Sequence, residues 1–234
     1  MDCRAGQNRR DLMDNQTIYN NRFAGKKALE DKNKIWRILC KYFFQKYIHK
    51  DSLIVDIAAG YCEFINNIES KEKIAFDLNP DLKQFANEDV LAVNSSFFEV
   101  KKYLQGKKAD VFFASNVMEH LDSKEQVIQA IKLCSDNLKN GGHLLILQPN
   151  IKYVQGAYWD FIDHKVALTE KALIEVATLS NLKLKVNYPR FLPYTTKSKI
   201  PQYPWLVWLY LKLMPISGFF FGQQSFLVFE KFDE

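Results

Sequence analysis

The feature that most constrains this chain is a short apolar run, Ser52-Leu-Ile-Val-Asp-Ile57, that stops abruptly at Ala58-Ala-Gly60. A run this short and unbroken by polar residues reads as a strand buried on both faces, as in a parallel sheet. Similar runs follow at Ile74-Ala-Phe76, Val90–Val93, Val111–Ala114 and His143–Leu147, then the alternating Leu182, Leu184, Val186 and Tyr188, then Ser225–Phe229. Between them lie helical patterns. Ile35, Trp36, Leu39, Tyr42, Phe43 and Tyr47 recur at three- and four-residue spacing from Asn33 onward. Ser123 with Gln126 forms a capping box before Val127, Ile131, Cys134 and Leu138, and Asn140-Gly141-Gly142 is expected to end that helix. Thr169 leads a further stripe through Ala172, Leu173, Val176 and Leu179. Strands alternating with helices predict an α/β, doubly wound sheet of seven strands.

The chain divides into a basic arm, 1–31, and one domain, 32–234, with substrate-side insertions at 149–168 and 189–223. Six of the seven prolines follow residue 148. The two insertions are aromatic-rich and are expected to fold over the carboxyl edge of the sheet, where open α/β sheets bind ligands. Charge supports the division. Residues 1–50 hold twelve Lys/Arg against five Asp/Glu, whereas the remainder holds twenty against twenty-two. A near-neutral body argues against a nucleic-acid partner, which would want a basic folded face. Cys3, Cys40, Cys62 and Cys134 are scattered, with no CxxC pair, so neither a disulfide framework nor a metal site is expected, and reduced thiols suit a cytoplasmic protein. The first residues lack the apolar run of a secretory signal. Trp205–Met214, the most apolar stretch, is too short to cross a bilayer of ~30 Å. It is expected to be a buried helix or a lid packed on the sheet; contact with a membrane surface, a lipid-linked acceptor or a dimer partner is the functional alternative.

The residues after the first strand carry the chemistry. Ala58, Ala59 and Gly60 leave room for a ligand against the backbone, and Asp77, seventeen residues past Gly60, ends the second strand where it can accept hydrogen bonds from a ribose diol. Positions 58–63 do not spell the G-x-G-x-x-G of a pyrophosphate cradle, and Asp56 stands beside the turn. An acid there suits a ligand with a cationic amino-acid portion, which points to S-adenosylmethionine over NAD.

On Ile54-Val-Asp-Ile-Ala-Ala-Gly60, Ala75-Phe-Asp-Leu-Asn-Pro80, Ser115-Asn-Val-Met-Glu-His-Leu121 and Leu138-Lys-Asn-Gly-Gly142, the chain resembles the class I S-adenosylmethionine-dependent methyltransferases. Gln148-Pro-Asn-Ile151, Tyr158-Trp-Asp-Phe-Ile-Asp-His164 and Phe191-Leu-Pro-Tyr-Thr-Thr-Lys197 resemble a bacterial branch associated with polysaccharide biosynthesis. The resemblance spans about Tyr19 to Lys231 and implies a Rossmann-like seven-stranded sheet, mostly parallel with an antiparallel last strand. It implies that Asp56, Ala58, Ala59 and Gly60 surround the methionine end of the cofactor, that Asp77 holds the ribose hydroxyls with Leu78 on the adenine, and that Asn94 lies near the adenine amino group. Ser115 and Asn116 would line the cleft under the sulfonium, and Arg22, with Tyr19 and Phe23, would belong to an arm closing over it. Where the family pattern has glycines, this chain has Ala58 and Cys62. Alanine fits such a turn where its φ is negative, and its methyl crowds the carboxylate pocket.

The expected activity is methyl transfer, by O-methylation of a small or carbohydrate-type acceptor. His164 and His120 are the candidate bases, with Asp163 or Asp160 orienting the His164 imidazole, and Asn150, Tyr158 and Asp160 are the candidate substrate contacts. The alternatives are a non-catalytic S-adenosylmethionine-binding domain and an RNA methyltransferase.

Overall fold

The computed structural model describes residues 26–194 and 203–232. Its centre is a seven-stranded sheet: β1 (Leu53–Ile57), β2 (Glu72–Asp77), β3 (Val90–Asn94), β4 (Ala109–Ser115), β5 (Leu138–Pro149), β6 (Leu182–Tyr188) and β7 (Gln224–Lys231), in the order β3-β2-β1-β4-β5-β7-β6. The first five strands pair in parallel, while β7 inserts antiparallel between β5 and β6. The strand order reverses between β1 and β4, and a crevice opens at such a switch point outside the carboxyl ends of the strands.

Period-two alternation sends each strand's side chains to opposite layers. On one face Val55, Ile57, Phe112, Ala114, Leu144 and Ile146 pack beneath α3 (Val100–Leu104), α4 (Lys124–Asn137) and α6 (Glu170–Thr178). On the other, Ile54, Phe113, Leu145 and Leu147 meet α1 (Lys26–Tyr42), a 3₁₀ turn at Phe44–Tyr47 and Leu82 of α2 (Leu82–Phe85). Asp56 therefore shares a face with Ile54, in register with Ala75 and Phe113, and is buried there. The aromatic residues of α1 and the turn bind this layer together: Phe43 stacks on Phe191, and Phe44 meets Phe64, Phe113 and Phe226 edge-on.

The caps read from sequence are present. Ser123 Oγ accepts from the Gln126 N–H and Thr169 Oγ1 from the Ala172 N–H. Boundaries differ in two places. α1 begins at Lys26, a turn or more before the apolar stripe, and α4 ends at Asn137 because strand β5 already starts at Leu138, ahead of the glycines.

The insertions are less irregular than expected. The first contains α5 (Ile151–Val154) and a 3₁₀ stretch, Gln155–Asp160; the second contains α7 (Pro204–Lys212) and α8 (Ile216–Phe221). α7 overturns the expectation of a buried helix. It packs on α1, with Val207 and Leu211 turned inward, and none of its residues is buried. Its all-round apolarity continues into α8, so Trp205, Leu213, Ile216, Phe219, Phe220 and Phe221 are all at least half exposed. Among the described residues no helix is long and apolar enough to cross a membrane.

Candidate active site

The turn after β1 is tied to β2 by its backbone: the Ala58 and Ala59 N–H groups both donate to the Phe76 carbonyl, at 2.9 and 2.8 Å. Gly60 adopts φ +56°, and a side chain placed there would meet nothing within 4 Å, so its backbone faces open space. The Asp77 carboxylate is cradled by main-chain donors, accepting from Gly60 N–H at 2.7 Å and Asn79 N–H at 2.8 Å. Asn94 stiffens the same corner by donating to the carbonyls of Asp77 and Asn79. Leu78 is half exposed beside it and offers an apolar shelf.

Asp56, Ala58, Ala59, Gly60, Glu63, Trp36, Phe64, Phe113 and Ser115 enclose a cavity of about 60 Å³ at the switch point. Burial pushes the Asp56 carboxyl well above the usual carboxylate range, and the neighbouring Asp77 and Glu63 push it the same way. Burial also raises Asp77, opposed by the N–H groups of Asn79, Gly60 and Leu78. A crowded, poorly hydrated set of carboxylates favours a cationic ligand, because positive charge restores their ionised form.

Beyond β4 the chain turns through Asn116, whose φ is +50°, into a 3₁₀ turn, Met118–His120. The main-chain N–H groups of Lys165 and Val166 donate to the Glu119 carbonyl, which brings the first insertion against this turn. His120 Nδ1 lies 3.0 Å from the Asp163 carbonyl oxygen and 3.4 Å from its carboxylate. A carbonyl can only accept, so Nδ1 carries a proton, and in the neutral ring Nε2 keeps its lone pair. The His164 ring lies 4.9 Å from that of His120, in contact with Tyr158 and Phe161. Glu119 is buried between them, its carboxyl raised chiefly by burial.

No family model matches the chain, and no curated protein matches it in sequence. Solved structures do match in fold. An S-adenosylmethionine-dependent methyltransferase from Archaeoglobus fulgidus superposes with a TM-score of 0.64 at 21% identity, over 92% of this chain and 99% of that one. The N-methyltransferase NodS from Bradyrhizobium japonicum, in complex with S-adenosyl-L-homocysteine, gives 0.52 at 12% identity, over 86% and 85%. An O-methyltransferase family protein from Burkholderia thailandensis gives 0.55 at 15%, over 91% of this chain and 62% of that one. The chain has the S-adenosylmethionine-dependent methyltransferase fold.

Within that methyltransferase fold, most residues read as cofactor contacts converge. Asp56, Ala58, Ala59, Gly60 and Ser115 line one crevice, and Asp77, Leu78 and Asn94 form its outer corner. Asn116 is exposed and donates to Ser115 Oγ at 3.1 Å. Arg22, with Tyr19 and Phe23, and Thr195–Lys197 lie outside the described residues.

Two substrate assignments are corrected. Asn150 is fully buried; it donates to the Glu170 carboxylate at 2.6 Å and caps α5 by accepting from Lys152 N–H, so it holds the loop together. Tyr158 is equally buried, its hydroxyl donating to the Val166 carbonyl at 2.6 Å. Asp160 is exposed at the end of the 3₁₀ stretch, and Asp163 flanks the His120 imidazole.

The crevice also contains residues that sequence reasoning left in the core or unassigned, Trp36 and Glu63. Trp36 arrives from α1, stacks on Phe44, meets Phe64 and Phe113 edge-on, and forms one wall of the crevice. At about 60 Å³ the space is far below the ~300 Å³ typical of small-molecule pockets.

Ala58 brings a further correction. Its φ is +86°, not negative, and Cys62 has φ +62°, so both positions keep the left-handed backbone that glycine provides in the family pattern. An L side chain there costs ~1–2 kcal/mol, against ~0.5–1 kcal/mol for the extra freedom glycine adds to the unfolded chain. Ala58→Gly is therefore expected to raise stability by about 0.5–1 kcal/mol, read as a higher unfolding midpoint. A lower midpoint would mean that the methyl's packing against the core outweighs the strain.

Proposed function

We propose that this chain is an S-adenosylmethionine-dependent methyltransferase that methylates a hydroxyl of a small or carbohydrate-type acceptor. The observation that carries the reading is the Asp77 carboxylate, fixed by the Gly60 and Asn79 N–H groups at the switch point beside the buried Asp56. Each Asp77 oxygen spends one lone pair on the backbone and keeps another for a diol. Asp56 supplies negative charge where the cationic amino-acid end would lie, Glu63 being paired with Lys32 at 2.8 Å, and the open backbone of Gly60 admits it. The bound cofactor supplies a methyl group already activated on a sulfonium, so the protein's task is alignment and control of the acceptor's proton.

His120 suits that second task. Its Nε2 lone pair is set by the Nδ1 bond to Asp163, and its side chain is 31% exposed, five residues beyond Ser115 on the crevice wall. His164, 9% exposed and wrapped by aromatic rings, has less access to an acceptor. The exposed aromatic residues of α7 and α8 support an acceptor presented at a membrane surface. Beside them a hollow of about 430 Å³, lined by Lys152, Tyr153, Arg190, Phe220 and Phe221, pairs cations with rings as an anionic lipid-linked glycan would require.

Labelled methyl transfer to a panel of glycans and small hydroxylated molecules tests the reading. His120→Ala is expected to lower turnover ~10²–10⁴-fold and to leave the affinity for S-adenosyl-L-homocysteine unchanged. Transfer to amines alone would overturn the hydroxyl assignment.

A further inference from the structure

The acceptor-side turn holds an arrangement that the proposed function uses only at His120. Glu119, His120 and His164 each offer a ligand atom, and the three atoms lie within 4.8 Å of one another. Glu119 is 1% exposed, and neither of its carboxylate oxygens accepts a hydrogen bond from another residue. Among the described residues the basic group within 4 Å of its carboxylate is the imidazole of His120, with Nε2 3.9 Å from Oε1. The adjacent cation, Lys165, is committed to Asp122 at 2.7 Å. A buried carboxylate without donors costs several kcal/mol unless something positive meets it.

The imidazole beside it is prepared in a particular way. With Nδ1–H held by the Asp163 carbonyl at 3.0 Å, the Nε2 lone pair of His120 points to the Glu119 side. A backbone carbonyl on the distal ring nitrogen is how metal-ligating histidines are oriented. Two imidazoles and one carboxylate are donors of intermediate softness. They suit Zn²⁺, Fe²⁺ or Co²⁺, whereas Mg²⁺ and Ca²⁺ prefer all-oxygen shells.

We propose that Glu119, His120 and His164 form a binding site for a first-row divalent cation at the acceptor side of the crevice. Ligand distances of ~2.0–2.2 Å require the three donors to draw together by about an ångström, within the reach of side-chain rotation. Three protein ligands leave coordination positions open, the pattern of sites where a metal meets a substrate atom or water. Lone-pair donation by His120 to the cation would replace its service as a free base, so the loss of turnover in His120→Ala is common to both roles.

The test uses the full chain, stripped with a chelator, and titrates Zn²⁺ and Co²⁺ by calorimetry and thermal unfolding, with Mg²⁺ as control. One equivalent of Co²⁺ should bind and give visible d–d bands, and Zn²⁺ should raise the unfolding midpoint. Glu119→Gln, which keeps the shape, should weaken Zn²⁺ binding at least tenfold, and His120→Ala should do the same. Parallel titration with S-adenosyl-L-homocysteine shows that each variant is folded, or, where that ligand does not bind even the wild type, circular dichroism does. Absence of Zn²⁺ or Co²⁺ binding to the folded wild type at millimolar concentration overturns the proposal, as does equal binding by Glu119→Gln. Zn²⁺ binding that depends on Glu119 in a chain that ignores S-adenosyl-L-homocysteine would uphold the metal site and remove the methyltransferase reading instead.

Discussion

Asp77→Ala is expected to weaken binding of S-adenosyl-L-homocysteine by ~1–3 kcal/mol, about five- to 150-fold, from loss of charge-assisted hydrogen bonds to the ribose. The side chain acts twice in this fold. It would grip the diol, and it also satisfies the Gly60 and Asn79 N–H groups, so its removal loosens the turn against which the rest of the ligand would lie. Asp77→Asn separates these effects. The amide still offers one acceptor oxygen but loses the charge, so its affinity should fall between wild type and the alanine variant. Calorimetric titration measures both. A folded Asp77→Ala chain with unchanged affinity would show that the ligand does not lie across the end of β2.

Phe113→Ala is expected to cost ~3–5 kcal/mol of stability, the range for removing a large buried aromatic side chain. Phe113 is fully buried on β4, stacks on Phe64 with centroids 3.6 Å apart, and meets Phe44 and Trp36 edge-on. Through these rings one residue joins the central strand to α1 and to the segment after the first turn. For a chain of this size the loss corresponds to a fall of roughly 6–20 °C in Tm. The same ring walls the crevice, so ligand affinity should fall as well. A change below about 1 kcal/mol in a denaturant titration would mean that the aromatic layer is not packed as described.

The sheet was legible because buried parallel strands leave apolar runs with little else to explain them. Ile54, Val55 and Ile57 had to be strand, and Ser123 and Thr169 announced helix starts through their own hydrogen bonds. Asp56 and Asp77 were legible for a related reason: an acid at the end of an apolar run is costly without a use.

What escaped was set by long-range contacts. Trp36 has the spacing of any core residue, and only the path of α1 across the sheet makes it a wall of the crevice. Asn150 and Tyr158 look like substrate contacts because they are polar and lie in a loop, yet that loop turns them inward to satisfy its own backbone. The α7 segment was misjudged in the opposite direction. Apolarity on all sides signals burial only when something covers the helix, and here one side meets α1 and the rest faces outward. The left-handed backbone at Ala58 was hidden because alanine in place of glycine suggested a relaxed turn, whereas the fold kept the turn and accepted the strain.

The central claim is that the corner between Asp56 and Asp77 receives an adenosyl ligand carrying an amino-acid end. Titration of S-adenosyl-L-homocysteine into the purified chain, with NAD as control and fluorescence followed in wild type and Trp36→Phe, addresses it most directly. The account predicts one-to-one binding of S-adenosyl-L-homocysteine, none of NAD, and a fluorescence change that Trp36→Phe abolishes, because the indole lines the crevice. Saturable binding of NAD, or no binding of either ligand by the folded chain, would contradict it.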